Sequence, residues 1–283
     1  MALAVKKQKI QDWLTQQWVI LFGEKINFST HNWLSGPFGD VNGIGEGFIS
    51  QLAQKENLIT ADKQGVKGLI QSMYQLNLTD IELKNLSKQV IDFYEKTSKY
   101  ELQLVVKWNP FFKLFGRLLR IMFSRRIKQL NIPFQNKVSS NNLTSDIIHL
   151  TDKITNQVKR TIWYRTYQST GEVVYSGVYE TCIIPSGKTC IKAIFPLPYG
   201  NATVILTPTV GVNGELILES SGSKVGDSGF YFVLKDSKGQ LWTKYVKSFS
   251  DKLIVKEKND KISAVQTLTL WKMRVLTFEY EIK

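Results

Sequence analysis

From about residue 158 onward the chain alternates polar and apolar residues with a period of two, and that pattern constrains its fold more than any other feature. The stretches 161–168, 172–184, 188–195, 202–209, 215–220, 229–235, 241–249, 253–258, 262–271 and 275–282 all read as strands. Turn chemistry separates them: Thr170-Gly171, Pro185-Ser186-Gly187, Asn213-Gly214, Ser237-Lys238-Gly239 and Asn259-Asp260. So many short strands joined by hairpins make an antiparallel sheet large enough to curl or close.

The texture changes near residue 136. Before it the periodicity is mainly helical, with Ile10, Trp13, Leu14, Trp18 and Leu21 at helical spacing. A Gly-rich loop follows over 36–47, then short helices are expected over 48–58 and 65–76. A longer helix is expected over 79–96, where Thr79 or Asp80 can cap and Glu82 falls in the first turn. Residues 101–108 alternate like a strand, and Pro110 suits the first turn of a further helix. The expected class is α+β: a mainly helical region, 1–135, packed on an antiparallel β-barrel or strongly curved sheet, 136–283, lipocalin-like in outline. No long helix follows the last strand, which argues against a helix-grip fold.

The chain has 283 residues, 43% of them hydrophobic, and can bury a substantial core. Its apolar runs are far shorter than the ~20 residues of a membrane-spanning helix, and its N-terminus lacks the pattern of a signal peptide. The expected location is cytoplasmic. The formal net charge is +13, and residues 102–145 hold eight basic and no acidic side chains. On a helical wheel Lys113, Arg117, Arg120 and Lys128 share one side of that window's helix, while Arg125 lies at the edge of the apolar arc and Arg126 inside it. A guanidinium on an apolar face needs a carboxylate, carbonyls or an anionic ligand. The basic helix also suits transient contact with a membrane surface. Nucleic acid is not an expected partner, because no zinc finger, helix-turn-helix or RNP pattern accompanies the charge.

Little points to catalysis. Two cysteines and two histidines lack the spacing of a metal site, and no cofactor is expected. Gly43-Ile44-Gly45-Glu46-Gly47 has neither the P-loop ending nor Rossmann spacing and reads as a turn. His149, between Ile148 and Leu150, reads as structural, and His31 sits beside the Gly-rich loop outside any known motif. If Pro185-Ser186-Gly187 is a hairpin loop, Glu180 faces Lys192 and Cys182 faces Cys190, within reach of a disulfide but reduced in the cytosol. The strands also carry polar residues able to point into a barrel, among them Arg160, Arg165, Tyr175, Tyr179, Glu180, Asn201, Asp227, Tyr231, Arg274 and Glu279.

Three stretches, 123–131, Phe195-Pro196-Leu197-Pro198-Tyr199-Gly200-Asn201-Ala202 and Gly226-Asp227-Ser228-Gly229-Phe230-Tyr231-Phe232, resemble those of uncharacterised bacterial proteins of the YndJ-like family. The likeness runs from about residue 93 to the C-terminus. It implies no activity and directs attention to Arg125, Arg126, Asn201, Asp227 and Tyr231.

The expected function is binding of a small-molecule apolar or anionic ligand in the barrel, with Arg125, Arg126, Arg165, Tyr175, Asn201, Asp227 and Tyr231 as candidate ligand-binding residues. The alternatives are a cofactor-free cyclase, isomerase or hydratase on the same scaffold, and a peripheral membrane or interaction module using the helix 110–130. A buried carboxylate beside Arg or Tyr inside the pocket would favour the enzyme.

Overall fold

The computed structural model describes residues 2–6, 8–39, 47–61, 65–113, 143–168, 171 and 173–283. Arg125, Arg126 and most of the expected 110–130 helix lie outside these described residues.

The described residues include α1 Ile10–Phe22, α2 Gly47–Lys55, α3 Asp80–Asn85 and α4 Lys88–Glu95, and residues 110–113 are also helical. Fourteen strands form one antiparallel sheet. Three come from the N-terminal part, β1 Glu24–Ile26, β2 Leu58–Thr60 and β3 Leu102–Trp108. The others are β4 Leu143–Asp152, β5 Val158–Tyr167, β6 Val173–Ile183, β7 Thr189–Leu197, β8 Gly200–Val210, β9 Leu216–Glu219, β10 Gly229–Lys235, β11 Leu241–Tyr245, β12 Phe249–Lys258, β13 Lys261–Leu270 and β14 Met273–Ile282.

The sheet curls but is not a simple lipocalin-like barrel, because its strand path forks at β8. From β8 the order runs through β7, β6, β5, β4, β3, β14, β13 and β12 to β9. β9 then pairs back onto the far half of β8, Thr207 to Val210. The near half, Gly200 to Ile205, instead pairs with β10, which carries β11 and β1 outward as a flap. The long hairpins follow their turn residues. Asn259 and Asp260 both take positive φ in the tight β12–β13 turn, a conformation Asn and Asp tolerate better than most residues. The β6–β7 hairpin closes on Pro185-Ser186-Gly187 with Cys182 opposite Cys190 and Glu180 opposite Lys192, as its spacing predicts. Both thiols are free and buried.

Several expected boundaries are corrected. The 79–96 helix is two helices. Thr79 and Glu82 form a capping box on α3, but the Ser87 hydroxyl then accepts from the amides of Gln89 and Val90 and starts α4 afresh. Only a 3-10 turn, Met73–Leu76, forms within 65–76. There Gly68 lies so close to the next segment that a Cβ would sit 2.3 Å from the Glu95 carbonyl oxygen, and Leu69 N–H donates to Thr97 Oγ1 rather than within a helix. The expected strand 241–249 ends at Tyr245, and β12 begins four residues early. Residues 143–152, not assigned from sequence, form β4.

The outer face of β5, β6 and β7 grips the N-terminal segment through a chain of charges. Arg160 binds Glu56 with two hydrogen bonds, Nε to Oε2 at 2.9 Å and Nη2 to Oε1 at 3.0 Å. Its Nη1 reaches Glu180 Oε2 at 2.6 Å. Glu180 Oε1 lies 2.8 Å from Lys192 Nζ, which also donates to the carbonyls of Trp33 and Ser35. Lys192 is 2% exposed, so its charge depends on these partners. Glu180→Leu should therefore lower unfolding stability by on the order of 3 kcal/mol, because it strands a buried ammonium. The double variant Glu180→Leu/Lys192→Met should recover most of that loss, a comparison that urea unfolding of wild type, both single variants and the double variant resolves.

Candidate functional site

Alternation places one set of side chains from each strand inside the curl. On β7 the inward residues are Ile191, Ala193, Phe195 and Leu197, while Cys190, Lys192 and Ile194 face the N-terminal segment. On β8 the inward residues include Ala202, Val204 and Leu206. They surround a cavity of about 830 Å³, within the ~300–1,000 Å³ usual for small-molecule sites. Its wall is overwhelmingly aliphatic and aromatic, and among the polar groups that interrupt it are the buried strand residues Arg165 and Asp251.

The first is Arg165 on β5. It is 4% exposed, with its guanidinium carbon 4.1 Å from the ring centre of Trp163 and 4.3 Å from that of Tyr175. Tyr280 on β14 approaches it at 5.6 Å and shares a hydrogen bond with it. Aromatic faces hold a guanidinium by cation–π attraction and leave its N–H groups free to bind in the ring plane. Among the described residues Arg165 Nε has no hydrogen-bond partner. Tyr175 and Tyr179 bond each other through their hydroxyls, and burial raises the pKa of both, that of Tyr179 to about 12.

The second is Asp251 on β12, 5% exposed. Gln266 Nε2 donates to its Oδ2 at 2.8 Å, whereas its Oδ1 has no hydrogen-bond partner among the described residues. Burial pushes the Asp251 carboxyl up to about 7. Tyr179 lies near enough to feel its charge.

The candidate residues from sequence divide as follows. Arg165, Tyr175 and Asn201 line the cavity. Asn201 is engaged by protein, its Nδ2 donating to Pro37 O at 3.4 Å and its Oδ1 accepting from Thr203. Asp227 and Tyr231 are placed elsewhere. Asp227 caps an exposed turn through the amides of Ser223 and Lys224, whose hydrogen bonds lower its pKa. Tyr231 packs between Trp33 and Tyr245 on the outer face and donates to the Asp227 carbonyl at 2.5 Å. Arg125 and Arg126 lie outside the described residues. Of the other polar candidates, Arg160 and Glu180 belong to the outer charge chain, and Glu279 pairs with Lys107 on the surface. His149 Nε2 lies 2.9 Å from the Gly68 carbonyl oxygen, and burial lowers its pKa, so it serves the N-terminal segment's packing. His31 meets Thr30 and the Asn27 carbonyl near the surface.

Sequence reasoning missed Asp251 and Gln266. Asp251 falls between the expected strands 241–249 and 253–258, which leave it unassigned, whereas β12 runs through it. The usable signal was the period-two series Phe249, Asp251, Leu253, Val255.

α1 covers part of the cavity with Asp12, Thr15, Gln16 and Trp18. Its buried side mixes Asp12 and Gln16 with Val19 and Ile20. Gln16 is 3% exposed and donates to the Pro198 carbonyl, while Ile10 and Phe22 are 71% and 63% exposed. Leu14 and Leu21 share that outward side. Of the apolar stripe legible in the sequence, Ile10, Leu14 and Leu21 thus face away from the protein, while Trp13 packs beside Val19 and Ile20 and Trp18 meets Phe232. Among the described residues no helix is long and apolar enough to cross a membrane.

The chain is similar to a Bacillus subtilis (strain 168) protein called "Uncharacterized membrane protein YndJ", with 26% identity over 246 residues. The match covers 84% of this chain and 41% of the relative, which agrees with the resemblance carried by the sequence motifs but reaches further toward the N-terminus than residue 93. No protein-family profile matches the chain, and no solved structure does.

The raised pKa of Asp251 has a signed consequence. An unfolded Asp titrates near ~3.9. The folded protein therefore keeps a proton that the unfolded chain releases, so the linked stability is whole below about pH 4 and is lost as pH rises through about 7. Asp251→Asn removes this titration, and comparison with wild type cancels the other groups. The variant should melt like wild type near pH 4, gain on it up to about pH 7 and hold that margin to pH 8, by up to a few kcal/mol on an order-of-magnitude basis, as followed by thermal unfolding across that range.

Proposed function

We propose that this protein binds a small apolar ligand bearing one anionic group, in the manner of a barrel-like container, with the chain inside the curl and the anion on Arg165. The observation that carries the reading is a buried guanidinium with an unpartnered Nε in the wall of an apolar cavity of about 830 Å³. A fixed positive charge in such a place costs free energy unless a counter-charge meets it. A carboxylate or phosphate can take Nε together with a neighbouring guanidinium N–H, as planar acids do. Asp251 satisfies part of what an acid–base enzyme requires. The tyrosines beside it do not supply the second proton-transfer group, because burial makes their hydroxyls weaker acids than usual. That balance favours binding over catalysis.

A second reading concerns where the protein works, and α1 favours it. We propose that a cytosolic chain meets an anionic membrane surface through α1. Its outward Ile10, Leu14, Leu21 and Phe22 are preceded by Lys6 and Lys9, with Lys25 and Lys244 beyond its C-terminal end. Apolar residues flanked by lysines suit the boundary between headgroups and acyl chains. The Bacillus relative's name as a membrane protein is consistent with this setting.

Native mass spectrometry of purified protein, with extraction and identification of any bound lipid, tests the first reading directly. Titration with stearate should give saturable binding, and Arg165→Met should weaken it by about 10- to 100-fold, the worth of a charge-assisted hydrogen bond. Equal affinity in both proteins would end the role given to Arg165. For the second reading, flotation with phosphatidylglycerol-containing vesicles should carry the wild type upward. Leu14→Glu/Leu21→Glu should stay behind with unchanged stearate affinity, and wild type that fails to float would refute the membrane role.

A further inference from the structure

We infer that the ligand carries, along its apolar body, a hydrogen-bond donor such as a hydroxyl, and that Asp251 Oδ1 receives it. The inference rests on the cavity being a ligand site, as proposed above, and extends that reading from a plain amphiphilic acid to a hydroxylated one.

The argument starts from the cost of leaving a carboxylate oxygen unmet. Asp251 is fully enclosed, and its backbone is fixed: its amide donates to Ser220 Oγ at 2.7 Å and its carbonyl accepts from Ser220 N at 2.9 Å. The side chain projects from that anchored point into the cavity beside Phe249, Leu253 and Leu268. Gln266, one strand over on β13, holds Oδ2 and so sets the plane of the carboxyl group. Oδ1 is left with no hydrogen-bond partner among the described residues. A buried oxygen of this kind costs several kcal/mol in a sealed core, on the order of a lost charged hydrogen bond. Folds retain such groups mainly where something other than the protein completes them. Leucine or valine at this inward position would continue the wall made by Phe249, Leu253 and Val255.

Asp251 is also separate from the anion site. No ion pair joins it to Arg165 among the described residues, although both line one cavity. The two groups want different things: the guanidinium donates to an acid, and the carboxyl oxygen accepts from a donor. A ligand with a carboxylate alone satisfies the first and leaves the second bare. A hydroxylated acid satisfies both, with the apolar wall of the shared cavity accommodating the hydrocarbon.

The test compares stearate with a panel of stearates hydroxylated near the head, at mid-chain and near the tail, titrated at pH 8 into the full-length protein. At least one hydroxylated isomer should bind about tenfold tighter than stearate, the yield of one hydrogen bond to a charged acceptor. Asp251→Leu should erase that preference. Asp251→Asn serves as the second variant. If its carbonyl takes over the bond from Gln266, its amide faces the ligand and donates, so the preference should pass from the hydroxy acid to the oxo acid of the same position. Binding of stearate with no isomer favoured overturns the inference and leaves the anion site standing, as does a preference that survives in both variants. Failure of stearate and of every isomer to bind overturns the proposed function and this inference together.

Discussion

One buried ammonium decides how the N-terminal third of the chain meets the sheet. Lys192 projects outward from β7 into a place closed to water, and it is tolerable there only with Glu180 beside it and two backbone carbonyls above it. Those carbonyls belong to Trp33 and Ser35, so the loop that supplies them must cross the sheet at that point. Glu180 in turn holds Arg160, and Arg160 holds Glu56 just past α2. The chain of charges thus fixes two separate N-terminal segments over β5, β6 and β7. With that face covered, both sides of these strands are buried, and the polar residues left on the inner side stand out as unexplained by packing.

The inner side follows a different chemistry. Outward charges pair with one another, whereas Arg165 is held by ring faces and Asp251 by a single amide. Ring faces stabilise a cation without saturating its donors, and one amide leaves half of a carboxyl group unmet. The same residue types therefore do structural work on one face of the sheet and stay available on the other.

Much of this was legible before any coordinates. The β6–β7 hairpin could be registered residue for residue from Pro185-Ser186-Gly187, because loop length and period two leave one alignment that pairs Cys182 with Cys190 and Glu180 with Lys192. The capping box at Thr79 was equally local. What failed depended on distant partners. Ser87 interrupts a continuous apolar stripe, and only the packing of α4 shows why the helix must restart there. Asp251 was lost at an assumed strand end. The direction of α1 was unreadable, since an apolar stripe says that a helix has two sides and not which one meets the protein. Asp227 and Tyr231 sit in a distinctive motif, yet that motif builds a turn and its support on the outer face, away from the cavity.

The fork at β8 has a mechanical meaning. A strand in an ordinary barrel has one neighbour on each side along its whole length, so load spreads evenly around the hoop. Here β8 hands over from β10 to β9 midway, between Ile205 and Thr207. β10, β11 and β1 therefore hang, in ladder terms, from half of one strand, with α1 resting on them through Val19, Ile20 and Leu234. Phe230 on this hanging piece touches Phe249 on β12 across the fork, 4.9 Å between ring centres. That contact ties the hanging piece to β12 by dispersion forces between rings rather than by a ladder of backbone hydrogen bonds.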